Sequence, residues 1–347
     1  MVLVGSSSLP GTRYGALNQD FVVTSTAFTP QELRQDPHRQ QAWILVVGDG
    51  HGMLGECCAQ YACNSIMEAL KSHLRKTSRH PLNTQSVKEI EQFMVDAFHK
   101  GHAAAMKPYE EPPRTCIYPK QAPEERRYTL IKHRSGHTVY SHPIAGPRLL
   151  EFGTTCSAVI FQGRTLAVAH AGDSLVVVGS ECWHGQDITY TGEVLTEKHS
   201  GAHIGERKRL ERHGGPKRAK IREDDGYITV PFPGGPIGTF SLAMTRALGH
   251  KMMSDYGVVP TPTVTVRKIG PKDVCVIVAS DGVWEGLGAC DAVAEVCTIM
   301  AQGGSAEIAA KNLCKTSMAL VQALGGRGSR PDNTTAALII FDEVEGG

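Results

Sequence analysis

Three aspartates in this chain occupy the same kind of position, next to a continuous apolar run. Asp49 and its neighbour His51 lie between glycines directly after residues 43–47, Asp281 follows residues 274–279, and Asp332 comes just before residues 334–341. Short apolar runs of this kind predict strands that are buried on both faces. If the three strands are neighbours, their carboxylates converge, and charges of like sign at that distance repel or force protonation. Divalent cations resolve the conflict.

The ligand types indicate which cation. The candidates are hard oxygens, with no His-x-x-x-His or Cys-x-x-Cys pattern nearby, so Mg²⁺ or Mn²⁺ fits better than Zn²⁺. Two such ions about 3.5 to 4 Å apart activate water and hold a phosphoryl group, which is the chemistry of a phosphate-ester hydrolase. For one Asp-Gly pair taken alone, a simple hairpin turn is an alternative. The recurrence of the pattern argues against that alternative.

Six short motifs are distributed along the chain: D-G-H-G at 49–52, G-T-T-C at 153–156, H-A-G-D-S at 170–174, L-A-M-T-R-A-L-G at 242–249, A-S-D-G-V-W-E at 279–285 and D-N-T-T at 332–335. In type and order, these motifs resemble those of the metal-dependent type 2C protein serine/threonine phosphatases. With Arg13, the resemblance extends over residues 13–341. Blocks of predicted strands and helices, together with this resemblance, lead us to expect an α+β fold with a central antiparallel β-sandwich covered by helices on both outer faces.

The resemblance implies hydrolysis of phosphoserine and phosphothreonine esters by a water that bridges two Mg²⁺ or Mn²⁺ ions. Asp49 would bridge the two ions, and the Gly50 carbonyl, Asp281 and Asp332 would complete their ligands. Phosphoproteins would be the substrates. His51 would act as general acid, since its ordinary pKa of about 6.5 suits proton transfer near pH 7.

Four further positions receive roles from the resemblance. Arg13 would bind phosphate, with a solvated loop cation as the alternative, and Gln19 and Asp20 would hold metal-bound waters. Gln19 stands where many members have Glu. Asp173 would line the metal cluster, where the family sometimes holds a third ion, or it would be a simple turn residue. His250 stands where the family commonly has Asp. This exchange concerns the chemistry of the flap or of a third metal, and not the two-metal core.

Composition narrows the class of protein. The chain has 347 residues, of which 41% are hydrophobic and 20% charged, with a formal net charge of +1. These values are typical of a globular protein and unlike those of a chain dominated by nucleic-acid binding. We find no apolar run near the roughly 18 residues of a membrane span and no signal peptide. We therefore expect an intracellular monomer of the cytoplasm or nucleus, with no membrane or nucleic-acid partner.

We expect one catalytic domain over residues 1–347, with two unusual segments. Residues 107–150 are rich in prolines and charges and predict an irregular insertion, whose role the sequence does not show; partner or substrate selection is one hypothesis. Residues 198–235 form a basic segment that the resemblance identifies as a mobile flap, where cations would attract phosphopeptides. Helical spacing predicts helices around 59–70, 87–98 and 291–301 and over 305–324, with a capping box at Ser86 and Glu89.

Two readings from other classes remain. A pseudophosphatase would bind partners on the same fold without hydrolysis, and Gln19 and His250 support it, whereas the intact aspartates and His51 oppose it. A nucleic-acid-binding module would use the basic segment, but that segment lacks interleaved aromatic residues.

Overall fold

Antiparallel sheets dominate the computed structural model, which describes residues 1–15, 17–36, 38–118, 126–133, 136–185, 187–213, 219–231, 239–325 and 329–341. One sheet has five strands, in the order β1 (Val2–Leu9), β19 (Thr334–Phe341), β18 (Asp273–Ala279), β11 (Leu175–His184) and β12 (Asp187–Val194). A second has the order β16 (Leu248–Gly249), β8 (Phe152–Thr154), β3 (Ala42–Gly52), β9 (Cys156–Gln162), β10 (Thr165–Ala171) and β17 (Thr263–Lys268), and β2 (Asp20–Thr26) also pairs with β3.

Two smaller sheets lie outside this pair. One contains β13 (Lys220–Ile221), β14 (Ile228–Pro231) and β15 (Thr239–Leu242), and the other contains β4 (Thr115–Ile117), β5 (Arg127–Lys132), β6 (Thr138–His142) and β7 (Gly146–Leu149). The helices are α1 (Pro30–Gln35), α2 (Gly55–Lys76), α3 (Val87–Ala105), α4 (Lys107–Glu110), α5 (Ile204–Glu211), α6 (Asp281–Trp284), α7 (Ala289–Ala301) and α8 (Ala306–Leu324), with short 3₁₀ turns at Leu82–Thr84 and Met253–Tyr256. Within the described residues, no helix combines the length and apolar character needed to cross a membrane.

Three apolar layers show how the sheets and helices stack. The two large sheets face each other across side chains such as Leu45, Val168, Val278 and Ile339. On the outer face of the second sheet, α2 and α3 cover a larger core, and α7 and α8 cover the outer face of the five-stranded sheet. The predicted helix, sheet, sheet, helix arrangement is confirmed.

Local signals fixed several boundaries. Glu89 N donates to Ser86 Oγ at 3.3 Å and Ser86 N donates to Glu89 Oε2 at 2.7 Å, so the predicted capping box begins α3. Helix α8 begins after its N-cap Ser305, as predicted. Its last residue, Leu324, is 82% exposed, although its helical spacing from buried Ala309 and Leu313 predicts a buried side chain.

The first apolar run ends at Val47, but the prediction that its strand also ends there is wrong, because β3 continues to Gly52. Asp49 pairs with Asp20 of β2, and Gly50 and His51 pair with Thr154 and Gly153 of β8. The glycines therefore lie inside a strand that changes partners. Asp49 and His51 therefore lie where the strand paired with β3 changes from β2 to β8.

The expectation of an irregular segment over 107–150 is also wrong for its described part, which contains α4 and the strands β4 to β7. Tyr128 and Tyr140 of this inserted sheet are fully buried and join the core under the second large sheet. Short strands with exposed alternate residues carry a weak sequence pattern, which explains the error.

The predicted flap is described only in part. Helix α5 and strands β13 and β14 fall within residues 198–235. Residues 214–218 and 232–235, which include the predicted flap residues Gly214, Gly215, Lys217 and Arg218, lie outside the described residues.

Candidate functional site

A cavity of about 310 Å³ lies where β3 ends, α6 begins and β19 begins. Asp49, Asp281 and Asp332 all line it, so the three aspartates that the sequence placed at separate strand ends meet in one place. Arg13, Gln19, Gly50, His51 and Asp173 line the same cavity. Of the residues predicted for the site, only Asp20 lies behind the wall.

Two glycines allow the backbones that carry the aspartates to approach each other. A Cβ on Gly282 would lie 2.0 Å from the Asn333 carbonyl oxygen, so only glycine lets the start of α6 contact the start of β19. A Cβ on Gly50 would lie 2.2 Å from the Gly55 oxygen and 2.5 Å from the Gln19 oxygen. Since both obstacles are backbone atoms, these positions tolerate no side chain.

The G-T-T-C motif holds Asp49 in place. Asp49 N donates to the Thr155 hydroxyl at 3.1 Å, and Thr155 N donates to the Asp49 carbonyl at 2.9 Å. The Thr155 hydroxyl also lies 3.0 Å from the Ser174 hydroxyl, in the turn that carries Asp173. One threonine thus links two of the strand ends that bear acids.

Asp20 supports the site from behind. The Ser280 hydroxyl donates to Asp20 Oδ2 at 2.8 Å and accepts from Thr335 N at 3.0 Å. Burial raises the pKa of Asp20 to about 7, against the hydrogen bond from Ser280. Asp20 does not line the cavity. The expected role in holding metal-bound waters would need a path from the cavity to its carboxylate, which its position does not provide directly.

The carboxyl groups raise one another's pKa values. Burial, and then repulsion from Asp20 and Asp281, raises the pKa of Asp49 well above 3.8. Burial and Asp173 raise the pKa of Asp281 to about 6, and burial and Asp281 raise that of Asp332 to about 6. Without a counter-charge, this cluster holds protons near neutral pH that free aspartates would release.

The chemistry of the cluster fits a hard divalent cation. Its donors are carboxylate oxygens, and Asp173 Oδ1 is buried without a hydrogen-bond partner among the described residues. Cations would relieve the repulsion that raises these pKa values. Over the described ranges, however, no three His, Cys, Asp or Glu side chains are grouped so that they could hold a metal ion as they stand.

Arg13 contacts two acids at the cavity wall. Its Nη1 donates to Asp332, and its Nη2 donates to Glu285 Oε1 and Oε2 at 2.9 and 3.0 Å. Burial alone would lower the pKa of Arg13, but Asp332 and Glu285 raise it above its ordinary value. The alternative of a solvated loop cation does not describe this residue, since the guanidinium is bound to residues of the site.

His51 forms a chain of contacts with two residues that sequence analysis did not connect with it. Its Nε2 lies 2.5 Å from Nε2 of His250, and His250 Nδ1 lies 3.2 Å from Glu151 Oε1. His51 Nδ1 lies 3.3 Å from the Asp49 carbonyl oxygen. Burial and the neighbouring His250 lower the pKa of His51 well below 6.5, so the expectation of an ordinary pKa is wrong.

His250 and Glu151 are held firmly. Both side chains are buried, and Glu151 accepts hydrogen bonds from Met252 N at 3.0 Å and Met253 N at 3.1 Å. His250 has φ of 57°, a left-handed conformation that few non-glycine residues adopt. The ring fits because position 153 is glycine: a Cβ there would lie 2.2 Å from His250 Cδ2.

Gln19 is occupied by protein contacts. Its Nε2 donates to the Gly52 carbonyl at 2.9 Å and to Glu56 Oε2 at 3.1 Å. An amide can donate to both acceptors, which a glutamate at this position could not do. The exchange of Glu for Gln therefore suits this corner of the cavity.

Several arginines of the basic segment are neutralised inside the protein. Arg209 and Arg246 both bind Glu206, which is buried, and Arg207 binds Glu223. Burial opposes ionisation of Glu206, but the two arginines hold its pKa well below its ordinary value. Arg246 lies outside the segment, so the expected attraction of phosphopeptides to the segment loses two of its cations, Arg207 and Arg209.

Two lining residues come from the inserted sheet and were missed entirely. Tyr118 and Arg148 face the same cavity as Asp49. Their spacing in sequence gives no signal, because the insertion brings them to the cavity only through its tertiary packing.

Residues 126–321 match the family model described as Protein phosphatase 2C. The chain is 35% identical over 146 residues to "Probable protein phosphatase 2C 12" of Oryza sativa subsp. japonica, covering 42% of this chain and 36% of that relative. It is 29% identical over 244 residues to "Probable protein phosphatase 2C 73" of Arabidopsis thaliana, covering 68% of this chain and 56% of that relative. The chain thus spans less than two thirds of either relative.

Solved structures share the fold. A serine-threonine phosphatase 2C from Toxoplasma gondii superposes with a TM-score of 0.66 at 18% identity, over 98% of this chain and 94% of that one. A C. elegans sex determining protein superposes with a TM-score of 0.61 at 20% identity, over 98% of this chain and 64% of that one.

Proposed function

Because the chain belongs to the protein phosphatase 2C family, we propose that it hydrolyses phosphoserine and phosphothreonine esters of proteins. The observation that carries this proposal is the convergence of Asp49, Asp281 and Asp332 in one cavity with Arg13 and His51. We propose further that residues 1–347 act as one catalytic domain. The pairing of β1 with β19 supports this, since the first and last strands lie side by side.

We propose that Asp49, the Gly50 carbonyl, Asp281 and Asp332 hold two Mg²⁺ or Mn²⁺ ions. When bound, such ions supply a water nucleophile at neutral pH and neutralise the phosphoryl oxygens. Asp173, whose Oδ1 is buried and unpaired within the described residues, is the candidate ligand for a third ion. Asp20 and Ser280 act by keeping the segment before Asp281 in position.

Arg13 binds the phosphoryl group of the substrate. Its guanidinium already bridges Asp332 and Glu285, so its direction is fixed before the substrate arrives. A fixed planar guanidinium loses little freedom on binding and can donate two parallel hydrogen bonds to phosphate oxygens.

His51 supplies the proton for the leaving group. As water oxygen bonds to phosphorus, the bond from phosphorus to the serine or threonine oxygen breaks, and that alkoxide must take up a proton. In the ligand-free cavity His51 has a lowered pKa and is neutral near pH 7. A bound phosphoryl dianion would raise this pKa, because nearby negative charge stabilises the imidazolium.

His250 and Glu151 position His51. The Asp49 carbonyl can only accept, so the contact at 3.3 Å favours a hydrogen on His51 Nδ1, and in the ligand-free cavity His51 Nε2 accepts from His250. When His51 takes up a proton, that proton lies on Nε2, and it passes to the leaving oxygen in place of the contact with His250. Glu151 faces the other nitrogen of His250 and prevents the ring from turning away. This contact gives His250 a role beside the catalytic histidine, rather than at the flap or a third metal.

Hydrolysis of a phosphothreonine peptide tests the proposal. The purified chain should release phosphate when Mn²⁺ or Mg²⁺ is added, stop when the ion is chelated, and resume when it is restored. Asp281→Asn should be inactive under the same conditions, because it removes one proposed ligand charge. Absence of metal-dependent release from the folded wild-type chain would favour the pseudophosphatase alternative, in which the cavity only binds.

A further inference from the structure

We propose that Arg148 forms an anion-binding subsite beside the aspartate cavity, which takes an acidic group next to the phosphorylated residue of a substrate. This inference rests on the proposed phosphatase function. Arg148 lies on β7 of the inserted sheet, and it lines the cavity together with Tyr118, Asp49 and Asp332.

The guanidinium of Arg148 is held by two tyrosines of the insertion, Tyr128 on β5 and Tyr118 directly after β4. Its Cζ lies 4.8 Å from the ring centre of Tyr118 and 6.0 Å from that of Tyr128, and its Nε donates to the Tyr128 hydroxyl at 3.3 Å. Tyr128 is fully buried and Tyr118 is 9% exposed. Arg148 is therefore a prearranged cation and not a mobile surface side chain.

Within the residues that the structure describes, no acidic side chain neutralises the charge of Arg148. Across the described part of the chain, no carboxylate lies within ion-pair distance of it, whereas Arg13 binds two acids and Arg209 and Arg246 share Glu206. With Nε bound to Tyr128, the two terminal nitrogens have no acceptor among the described residues. These nitrogens are the donors with which arginine binds carboxylate or phosphate.

The position of Arg148 favours a flanking group over the phosphoryl group that is cleaved. Arg13 is bound to Asp332, within the acid cluster, and suits the cleaved phosphoryl group. Arg148 is bound instead to the tyrosines of the insertion. A peptide whose phosphorylated residue enters the cluster would then bring a neighbouring side chain to Arg148, where a carboxylate or a second phosphoryl group would be bound.

The test compares three substrates with wild-type, Arg148→Ala and Arg148→Lys chains in Mn²⁺. The substrates are a phosphothreonine peptide flanked by glutamates, the same peptide flanked by alanines, and para-nitrophenyl phosphate. Arg148→Ala should lower kcat/KM for the glutamate peptide about tenfold through KM, the usual size for a lost charged hydrogen bond. The other two substrates should change less than about twofold, and Arg148→Lys should show an intermediate loss.

A doubly phosphorylated peptide separates the two sources of negative charge. A tenfold loss with this peptide as well assigns the subsite to either anion, and a loss with the glutamate peptide alone assigns it to carboxylates. Arg127→Ala is the matched control, since Arg127 is an exposed arginine of the same sheet that does not line the cavity. It should leave all substrates unchanged.

Equal losses on all three substrates would overturn the proposal, because Arg148 would then bind the cleaved phosphoryl group. An unchanged kcat/KM on all three substrates would overturn it as well. A binding measurement that needs no catalysis distinguishes failure of the Arg148 proposal from failure of the proposed phosphatase function. The fluorescence anisotropy of a labelled, unphosphorylated glutamate-rich peptide should show about tenfold weaker binding to Arg148→Ala than to wild type. If Arg148→Ala does not fold, Arg148→Lys decides the question by the same two measurements.

Discussion

Asp49→Asn should make the metal-free protein more stable while abolishing turnover. Burial and neighbouring acids raise the pKa of Asp49 well above 3.8. The pKa of neighbouring Asp20 rises to about 7, and those of Asp281 and Asp332 rise to about 6. One pKa unit corresponds to about 1.36 kcal/mol.

Only part of these shifts is relieved by the substitution. The asparagine carries no charge, so it removes both the burial of the Asp49 carboxylate and its repulsion from Asp20 and Asp281, but it changes the hydrogen bond between positions 49 and 281. For the net relief we take ~1.4 to ~2.8 kcal/mol, the general scale of one to two pKa units for like charges held at one site. With an unfolding entropy of about 2.1 cal/mol/K per residue over 347 residues, the Tm rises by about 2 to 4 °C.

The sign of the pH dependence follows from the raised pKa values. A carboxyl with a raised folded pKa contributes stability below its unfolded pKa and loses that contribution as pH rises through its folded pKa. The contribution of this cluster to the stability of the metal-free wild-type chain should therefore be lost between about pH 4 and pH 7. The advantage of Asp49→Asn should be largest at pH 8 and small near pH 4.

Thermal unfolding in chelator at pH 8 and near pH 4 measures this effect, and phosphate release with Mn²⁺ measures turnover. Asp187→Asn, in an exposed position on β12, is the control and should change neither. A lower Tm for Asp49→Asn than for wild type at pH 8 would refute the reasoning. Retained metal-dependent turnover would refute the ligand role of Asp49.

Three other substitutions test separate parts of the site. His51→Ala should slow phosphothreonine hydrolysis about 100-fold but hydrolysis of aryl phosphates far less, since an aryl leaving group needs little protonation. Steady-state kinetics on both substrates measure this difference, and equal losses would show that His51 is not the acid. His250→Ala should slow phosphothreonine turnover about tenfold. His250→Asn should recover part of that loss, because asparagine tolerates the left-handed backbone and keeps a hydrogen-bond donor. Equal rates for the two variants would contradict the positioning role. Gly50→Ala should lower the Tm markedly, because its Cβ meets fixed backbone atoms at 2.2 and 2.5 Å, and an unchanged melting curve would contradict the close approach.

Patterns that are local in the chain were predictable. The apolar runs that end at Ala279 and begin at Thr334 are strands because their side chains fill the space between sheet and helix, and the Ser86 box begins α3 by two short hydrogen bonds. The strand through Gly50 was not predictable in the same way. Its glycines predict a turn locally, and only pairing with Thr154 of β8 keeps it extended.

The candidate site likewise has features that the sequence predicts and features that depend on tertiary contacts. The convergence of Asp49, Asp281 and Asp332 could be inferred, because each marks the end of a buried strand and like charges need a common partner. The contact of His51 with His250 could not, since it depends on a left-handed residue that fits over Gly153. Nor could Arg148, which reaches the cavity through a sheet whose strands are too short to show a pattern.

The contact between Arg13 and Asp332 joins residues 319 positions apart. At a synthesis rate of about 5 to 20 residues per second, Arg13 leaves the peptidyl-transferase centre roughly 16 to 64 s before its partner is made. A nascent or prematurely terminated chain that stops before residue 332 thus carries Asp49 and His51 without a finished cavity. The proposed activity therefore requires that synthesis has passed residue 332, which completes the cavity.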